Sequence, residues 1–424
     1  MPTTAESPLA AWAACGGMAL TGRADGPPLA PPGDPAGAVR RALAAFAADT
    51  GLDPTRLPGP ELLGERAALA GFGRRAPWSV GGAFRILSCV DGPIGVSLAR
   101  PTDLELVPAL VEDGDPGEPW AAVAAWAAGE RAADAVQRAQ LLGIPAALIP
   151  GTPGRAKDEQ AAHRSLRPAV TGGPRRDTGL PPLVVDLSAL WAGPLCAHLL
   201  GLAGARVVKV ESPDRPDGAR SGSTAFYDLL HAGHASVCLD LASPQGRDAL
   251  LRLIERADVV LESSRPRALR GMGVVAEEAV ARGAVWTSIT AYGRTGPWSE
   301  WVGFGDDVAA AAGLVVHDPA TGALLPCGDA LADPLTGVAA AAATAAALRE
   351  GHGRLVDVAM REVALAAGAA PGPGPHTVCL RPDGTWQVET EHARFPVRAP
   401  RARTPHGRAR HLGADNAASL GDVA

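Results

Sequence analysis

Several residue types and patterns common in other proteins are scarce in this chain of 424 residues. Lysine occurs only at positions 157 and 209, and every other basic residue is arginine. Aromatic residues make up 4% of the sequence, with only 2 tyrosines. The scarcity of lysine, set beside abundant alanine, glycine and proline, is typical of a GC-rich genome and indicates nothing about chemistry.

Other absences exclude whole classes of protein. No segment approaches the roughly 18 consecutive apolar residues of a membrane-spanning helix, and MPTTAESPLA (1–10) lacks the basic start of a secretory signal. The 6 cysteines are scattered without a CxxC pair, which disfavours a disulfide framework or a zinc site and favours the cytoplasm. The net charge of −6 gives no electrostatic argument for a nucleic-acid or membrane partner.

Familiar catalytic and cofactor motifs are also missing. The 10 histidines form no HExxH or other metal-like cluster, so we predict no metal site. There is no GxSxG nucleophile turn. The turn after the first strand of the central region is AGP (192–194) rather than GxGxxG, which disfavours NAD or FAD. A helix starting at this turn could bind an anion at its amino end, although a plain strand-to-helix turn explains the sequence equally well.

The centre of the chain alternates short β-branched runs with helical patterns. Six runs predict buried strands: LVVDL (183–187), ARVVKVE (205–211), SVCLDL (236–241), DVVLES (258–263), AVWTSITAY (284–292) and RLVDVAM (354–360). Between two of them, Ser243 and Pro244 predict the start of a helix over 243–257. This alternation predicts an α/β domain with a Rossmann-like parallel sheet over 182–367.

The flanking regions differ in pattern from the centre. Residues 1–150 carry helical segments and a hairpin pattern around Asp91-Gly92, which predicts a smaller α+β domain. Residues 151–181 have the composition of a linker, and 368–424 form a Gly/Pro/Arg-rich tail. We expect much of 368–412 to be irregular. From 306 to 350 we expect helices interrupted by a turn at 318–322. The segment 16–34 resembles 312–329, through either duplication or chance in so biased a composition.

Four segments in one order resemble the family III CoA-transferases of the CaiB/BaiF type, which include formyl-CoA transferase, carnitine CoA-transferases and α-methylacyl-CoA racemase. They are VVDLSALWAGPLCAHLLGLAGARVVKVE (184–211), ASVCLDLASPQGRDALLRLIERADVVLESSRP (235–266), SITAYGRTGP (288–297) and PCGDALADPLTGVAAA (326–341). Segments 12–34, 79–99, 141–150 and 384–420 resemble other parts of the family. Because the part similar to the small domain comes first, the resemblance implies a rearranged domain order.

The resemblance implies that an aspartate attacks an acyl-CoA thioester and passes through an acyl anhydride and an aspartyl-CoA thioester. Asp329, in the step Gly328-Asp329, matches the nucleophile. Alternatively, Asp329 only caps the Ala-rich helix that follows, or Asp333 is that cap. We expect the pair Asp306-Asp307 to be structural.

The resemblance also implies the coenzyme A contacts. Ala189, Leu190, Trp191 and Ala192 match the loop that holds CoA, and Arg215 is the nearest candidate for a CoA phosphate, although a solvated surface arginine is the ordinary alternative. The positions Ser263, Ser264, Arg265 and Met272 match a second contact segment, in which two serines replace Asn-Phe. Gly81 and Gly82 resemble a loop that closes over the aspartate and offers N–H groups to an oxyanion, or they form a plain turn.

The implied activity is acyl-CoA:carboxylate CoA-transferase, with an acyl-CoA and a carboxylic acid as substrates and no metal. Family members form interlocked homodimers, and the rearranged order leaves the interlocking open here. One alternative is a degenerate protein that binds acyl-CoA without transferring it. Another is an acyl-CoA racemase or epimerase, which Phe304 disfavours because it stands where racemases have a catalytic histidine.

Overall fold

The computed structural model describes residues 7–150, 170–175 and 179–421. Most of the predicted linker, 151–169 and 176–178, lies outside the described residues. No helix within the described ranges is both long and apolar enough to cross a membrane.

The central feature is a seven-stranded, mainly parallel sheet. Its strands in spatial order are Thr171–Pro174, His352–Ala359, Val285–Thr290, Val259–Glu262, Leu183–Asp186, Arg206–Glu211 and Ala235–Cys238. Only Thr171–Pro174 runs antiparallel to its neighbour. All six predicted strands of the central region are present, so the Rossmann-like α/β prediction is confirmed.

Helices cover the faces of this sheet. They are Ala192–Leu202, Thr224–His231, Pro244–Arg256, Pro266–Arg270, Ala276–Ala281, Gly305–Ala311, Ala332–Glu350 and Met360–Gly368, with a 3₁₀ turn at Gly218–Ser221. The predicted start at Ser243 is confirmed, since its hydroxyl accepts the Gly246 N–H at 3.0 Å. Every residue from Ala192 to Leu200 is buried, because this helix lies between the sheet and Ala332–Glu350.

The amino-terminal region has two parts with different cores. Its helices are Pro8–Ala14, Pro35–Thr50, Glu65–Ala70, Pro101–Glu105, Val107–Val111, Pro119–Gly129 and Ala132–Leu142, with 3₁₀ turns at Met18–Leu20, Pro54–Arg56 and Pro60–Gly64. The predicted hairpin is confirmed as Phe84–Cys89 and Gly92–Ser97, joined by Ala146–Leu148 in an antiparallel sheet. Residues 84–148 have their own apolar core, which includes Ile94 and Leu110.

Residues 7–70 instead share the core of the large sheet. Trp12 and Phe46 belong to the same buried cluster as Leu195, Ile289 and Val338. The helix Pro35–Thr50 packs along Ala332–Glu350. The described part of 1–150 therefore contains one segment that is continuous with the α/β core and one compact unit beside it.

One prediction about the region 306–350 is wrong: residues Val315–His317 and Leu324–Pro326 form a two-stranded sheet where we expected helix. Most of 368–412 is irregular, as predicted, but it also contains a three-stranded sheet of short strands, Thr377–Leu380, Trp386–Glu389 and Arg394–Pro396. A short helix, Asn416–Gly421, follows it. Backbone contacts dock the carboxy-terminal tail onto the amino-terminal region, since the Arg398 N–H donates to the Ala13 carbonyl at 2.8 Å.

Candidate active site

A cleft of about 330 Å³ lies at the carboxyl ends of the parallel strands. This is where ligands bind in open parallel sheets, and the volume is within the range of small-molecule sites. The structure brings seven of the predicted CoA residues to its lining: Ala189, Leu190, Ala192, Arg215, Ser263, Ser264 and Arg265. These residues come from loops that follow three different strands.

The loop after Leu183–Asp186 is fixed by hydrogen bonds to its neighbours. The Ala189 N–H donates to Ser263 Oγ at 3.2 Å, and the Leu190 N–H donates to Asp217 Oδ1 at 3.0 Å. Leu190 has φ +70°, which is unfavourable for a leucine, and its side chain is 41% exposed at the cleft. The surrounding hydrogen bonds hold it in this conformation.

A fully buried lysine supports the same loop from below. Lys209 Nζ donates to the Ser188 carbonyl and lies 2.9 Å from Asp217 Oδ2 and 3.7 Å from Asp186 Oδ2. Burial opposes its charge, but Asp186 and Asp217 outweigh burial and raise the pKa of Lys209. Sequence reasoning missed this role. A possible clue was that one of the only two lysines in the sequence lies within the strand segment VVKV.

Asp333 lies at the cleft, in the first turn of Ala332–Glu350. Asp333 is partly exposed as a residue, and its carboxylate packs tightly on Gly305, where an added Cβ would lie 2.4 Å from Asp333 Oδ2. Burial raises the pKa of Asp333 to about 7, while Arg66 and the donated Gly305 N–H oppose the rise. A carboxyl group with this pKa exists in both forms near neutral pH, and its ionised form is an available nucleophile.

Asp329, the sequence-predicted nucleophile, occupies a different position. It is 0% exposed, and its carboxylate is bound by the Arg66 guanidinium, with Nε 3.0 Å from Oδ2. Among the described residues that line the cleft, Asp333 is present and Asp329 is not. Both capping alternatives are wrong, because the N-cap position is Leu331 and no side chain caps the helix.

The two acidic residues at 306 and 307 have separate environments. Asp306 accepts the Ala330 N–H at 2.9 Å, and burial together with Asp329 raises the pKa of Asp306 to about 6. Asp307 is fully buried and accepts the Ser97 hydroxyl at 2.7 Å and the Phe304 N–H at 3.0 Å. Asp307 therefore has the structural position that the sequence predicted, whereas Asp306 belongs to the charged cluster around Asp329.

The remaining predicted contacts lie outside the cleft lining. Trp191 is 3% exposed and packs edge-on against Phe226 at 5.2 Å, behind the cleft. Met272 packs against the apolar cluster on the other face of the sheet. Gly81 faces Arg66, since an added Cβ would lie 3.0 Å from Nη2, and Gly82, with φ +82°, faces Arg75. For Trp191 and Met272, a direct CoA contact is therefore not supported by this geometry.

The cleft lining also contains residues that sequence reasoning did not assign to CoA. They are Arg100, Trp301 and Met360, which line the cleft together with Phe304. The Arg100 guanidinium lies 5.4 Å from the Phe304 ring centre and is paired with Asp103 at 2.5 Å. Because the chain contains many arginines, nothing in the sequence distinguishes Arg100 from the others. Only the fold shows that Arg100 lies at the cleft with these residues.

The sequence pattern of CoA-transferase family III matches residues 182–372. This part of the chain is similar to that family. The matched region contains the central sheet except its antiparallel edge strand, the loop 188–192 and both Asp329 and Asp333. The predicted resemblance to this family is thus confirmed for residues 182–372, whereas the rearranged domain order stays a prediction.

Named relatives match the same part of the chain. Succinyl-CoA–D-citramalate CoA-transferase of Chloroflexus aurantiacus is 33% identical over 197 residues, which is 43% of this chain and 49% of the relative. Succinate–glutarate CoA-transferase of Agrobacterium fabrum is 31% identical over 207 residues, 43% of this chain and 52% of the relative. The chain thus spans about half the length of these curated relatives.

A solved structure is also similar. A CaiB/BaiF family protein from Brucella suis is 26% identical, with a TM-score of 0.44, and the match covers 50% of this chain and 66% of that chain.

Proposed function

We propose that the protein is an acyl-CoA:carboxylate CoA-transferase in which Asp333 is the nucleophile. The observation that carries the proposal is the position of Asp333: this partly exposed residue lines the same cleft as Ala189, Leu190 and Ser263. Asp329 is fully buried in an ion pair, so a thioester could reach it only after that pair had opened.

The reaction that fits this site is a sequence of acyl transfers. An Asp333 oxygen attacks the thioester carbonyl, the C–S bond breaks, and CoA leaves as a thiolate. The thiolate then attacks the aspartyl carbonyl of the mixed anhydride, which forms an aspartyl-CoA thioester and releases the donor acid. The acceptor carboxylate then attacks the aspartyl carbonyl of this thioester, which releases CoA thiolate and forms a second mixed anhydride. The thiolate attacks the acceptor's carbonyl in that anhydride, which forms the new acyl-CoA and regenerates the Asp333 carboxylate.

The surroundings of Asp333 support this chemistry. The Gly305 N–H that donates to its carboxylate orients the attacking group. On the CoA side of the cleft, Arg215 and Arg265 can bind phosphate groups through their planar guanidinium groups. Phe304 cannot move a proton, so the site does not support the racemase alternative.

We also propose a dicarboxylic acid as one substrate. The two relatives described above carry succinyl-CoA, citramalate, succinate or glutarate in their names. Arg100 also lines this cleft, and its guanidinium, although paired with Asp103, is a group to which the second carboxylate of such an acid could bind. We also propose that the protein is a homodimer, which sedimentation can test, and that it is located in the cytoplasm.

The test is a comparison of Asp333→Asn with Asp329→Asn. We expect D333N to lose transfer between succinyl-CoA and a panel of dicarboxylic acids by about 10³-fold or more, because the nucleophile is gone. Hydroxylamine added during turnover should convert residue 333 of the wild type to a hydroxamate, located by peptide mass spectrometry.

Two results would overturn the proposal. One is unchanged transfer by D333N, and the other is a hydroxamate at residue 329 instead. The alternative of a degenerate protein predicts that the wild type binds CoA, measured by calorimetry, but transfers it to no acid in the panel.

A further inference from the structure

Arg66 brings a positive charge into the site from outside the region that matches the family. It lies on the helix Glu65–Ala70, whereas the match begins at residue 182. Its guanidinium binds Asp329 through Nε and Nη2, and its Cζ lies 5.5 Å from the centre of the Trp191 ring. The two parts of the protein therefore meet at a buried ion pair beside the cleft.

The position of Arg66 is well fixed. The neighbouring Glu65 is buried and binds Arg403 of the carboxy-terminal tail, with Nε 2.6 Å from Oε1. Gly81 packs on the other side of the guanidinium and leaves room for no larger side chain, since a Cβ there would lie 3.0 Å from Nη2. A cation held this firmly exerts a defined field on nearby carboxylates.

Three aspartates lie close enough to Arg66 to interact with its single positive charge. Asp306, Asp329 and Asp333 all interact electrostatically with Arg66. The helix Gly305–Ala311, which carries Asp306, packs on Ala332–Glu350, which carries Asp333. The Arg66–Asp329 pair leaves Asp306 and Asp333 as two further carboxylates that repel each other. The other cations at the cleft are Arg100, which is paired with Asp103, and Arg215 and Arg265 on the CoA side.

We propose that Arg66, tethered by Asp329, is a positioning residue whose charge favours the ionised form of the Asp333 carboxylate in the cleft. The link to turnover rests on the proposed function, but the effect on Asp333 itself does not. Arg66 acts through its charge, and Asp329 sets where that charge lies. The amino-terminal region thereby contributes directly to the chemistry of the family domain.

This role predicts opposite effects for the two members of the ion pair. In Arg66→Met a cation that interacts with all three carboxylates is removed, so Asp333 should take up its proton at higher pH. In Asp329→Asn a neighbouring negative charge disappears and Arg66 is released toward Asp333, so Asp333 should take up its proton at lower pH. A purely structural ion pair would impair both variants alike, without opposite shifts.

The experiment measures the pH profile of kcat for the full-length variants. We expect the acid limb to move up by about one pH unit in R66M and down in D329N, with Arg66→Lys close to the wild type because the charge remains. Arg41→Met is the matched control, because it breaks an Arg–Asp pair with Asp34 at 3.0 Å on a different helix. Its profile should not move.

A second readout separates this inference from the proposed function. Carbon-13 NMR of protein labelled at aspartate carboxyl groups follows each protonation directly, and the Asp333 signal is assigned by its loss in Asp333→Asn. Opposite movements of that signal in R66M and D329N support the role of Arg66 even if no CoA transfer is found. Movements in the same direction, or none in folded D329N, would overturn it whether or not R66M folds.

Discussion

At the scale of single residues, the site depends on close packing around one carboxylate. Asp333 and Gly305 are in contact because residue 305 has no side chain, and the Ala330 carbonyl closes the same space, 2.3 Å from where a Cβ would be. A glycine is required here for a reason of space, since its backbone does not have a positive φ. The consequence is a carboxylate whose direction is fixed by backbone atoms.

Gly305→Ala should therefore displace Asp333. We expect kcat for CoA transfer to fall by about 10²-fold, because small displacements of a reacting group are costly, and stability to fall by about 1–3 kcal/mol. Gly129→Ala is the control, since nothing lies within 4 Å of a Cβ at that helix end. Transfer by G305A at the wild-type rate would contradict the tight-packing argument.

The sequence predicted the neighbourhood of this residue but not its role. Both Asp329 and Asp333 lie in the segment that resembles the family, and nothing in their local composition decides which one is open to a cleft. Arg66 is beyond sequence reasoning for a stronger reason: it is one arginine among many, and its partner is 263 residues away. The cleft-lining serines at 263 and 264 were predicted because the resemblance covers them residue by residue.

At the scale of elements, the loop 188–190 depends on the strand beneath it. Lys209 lies on Arg206–Glu211 and reaches both the Ser188 carbonyl and Asp217, whose other oxygen holds the Leu190 N–H. Lys209, on a strand of the sheet, thus holds the loop at the cleft through its contacts with Ser188 and Asp217.

Lys209→Met should loosen this loop. We expect KM for the acyl-CoA to rise several-fold with a smaller change in kcat, measured by steady-state kinetics, because Lys209 supports binding and does not touch Asp333. Loss of the buried cation should also cost about 3–5 kcal/mol of stability, measured by urea denaturation. Arg349→Met, which breaks an exposed pair with Asp49, is the control.

A change in kcat alone, with KM unaltered, would show that the loop does not depend on Lys209. Asp217→Asn offers an independent check, since it removes the charge of the partner while keeping an oxygen that can accept from Leu190.

Strand and helix prediction succeeded where the elements are long or strongly marked. The runs around Val184 and Val208 are continuous β-branched segments buried on both faces, and Ser243-Pro244 marks a helix start by two independent features. The strands Leu324–Pro326 and Thr377–Leu380 were missed because they are short and pair only at the edges of small sheets. Their pairing depends on distant packing rather than on local pattern.

At the scale of the whole molecule, the apolar core does not follow the division suggested by the sequence. The helix Pro35–Thr50 contributes Phe46 to the same core as the sheet residue Ile289, while the hairpin unit around Ile94 has a core of its own. Cooperative unfolding follows shared cores, so we expect the first 70 residues to unfold with the large sheet.

Phe46→Ala and Leu110→Ala test this arrangement. Both side chains are 0% exposed, and each truncation should cost about 2–5 kcal/mol. Hydrogen exchange measured by mass spectrometry should speed up in the strand Val285–Thr290 for F46A, and mainly within 84–148 for L110A. Equal protection of Val285–Thr290 in both variants would show that the amino-terminal helix unfolds separately.

The long separation between Arg66 and its carboxylates has a consequence for how activity arises during synthesis. The arginine leaves the ribosome long before Asp306, Asp329 and Asp333, so the cluster closes only when most of the polypeptide has emerged. Joining groups 263 residues apart is entropically costly and slow. Before Arg66 docks, we expect the newly made sheet to carry Asp333 in its protonated form. The ionised form of Asp333 would be favoured only after this late docking step.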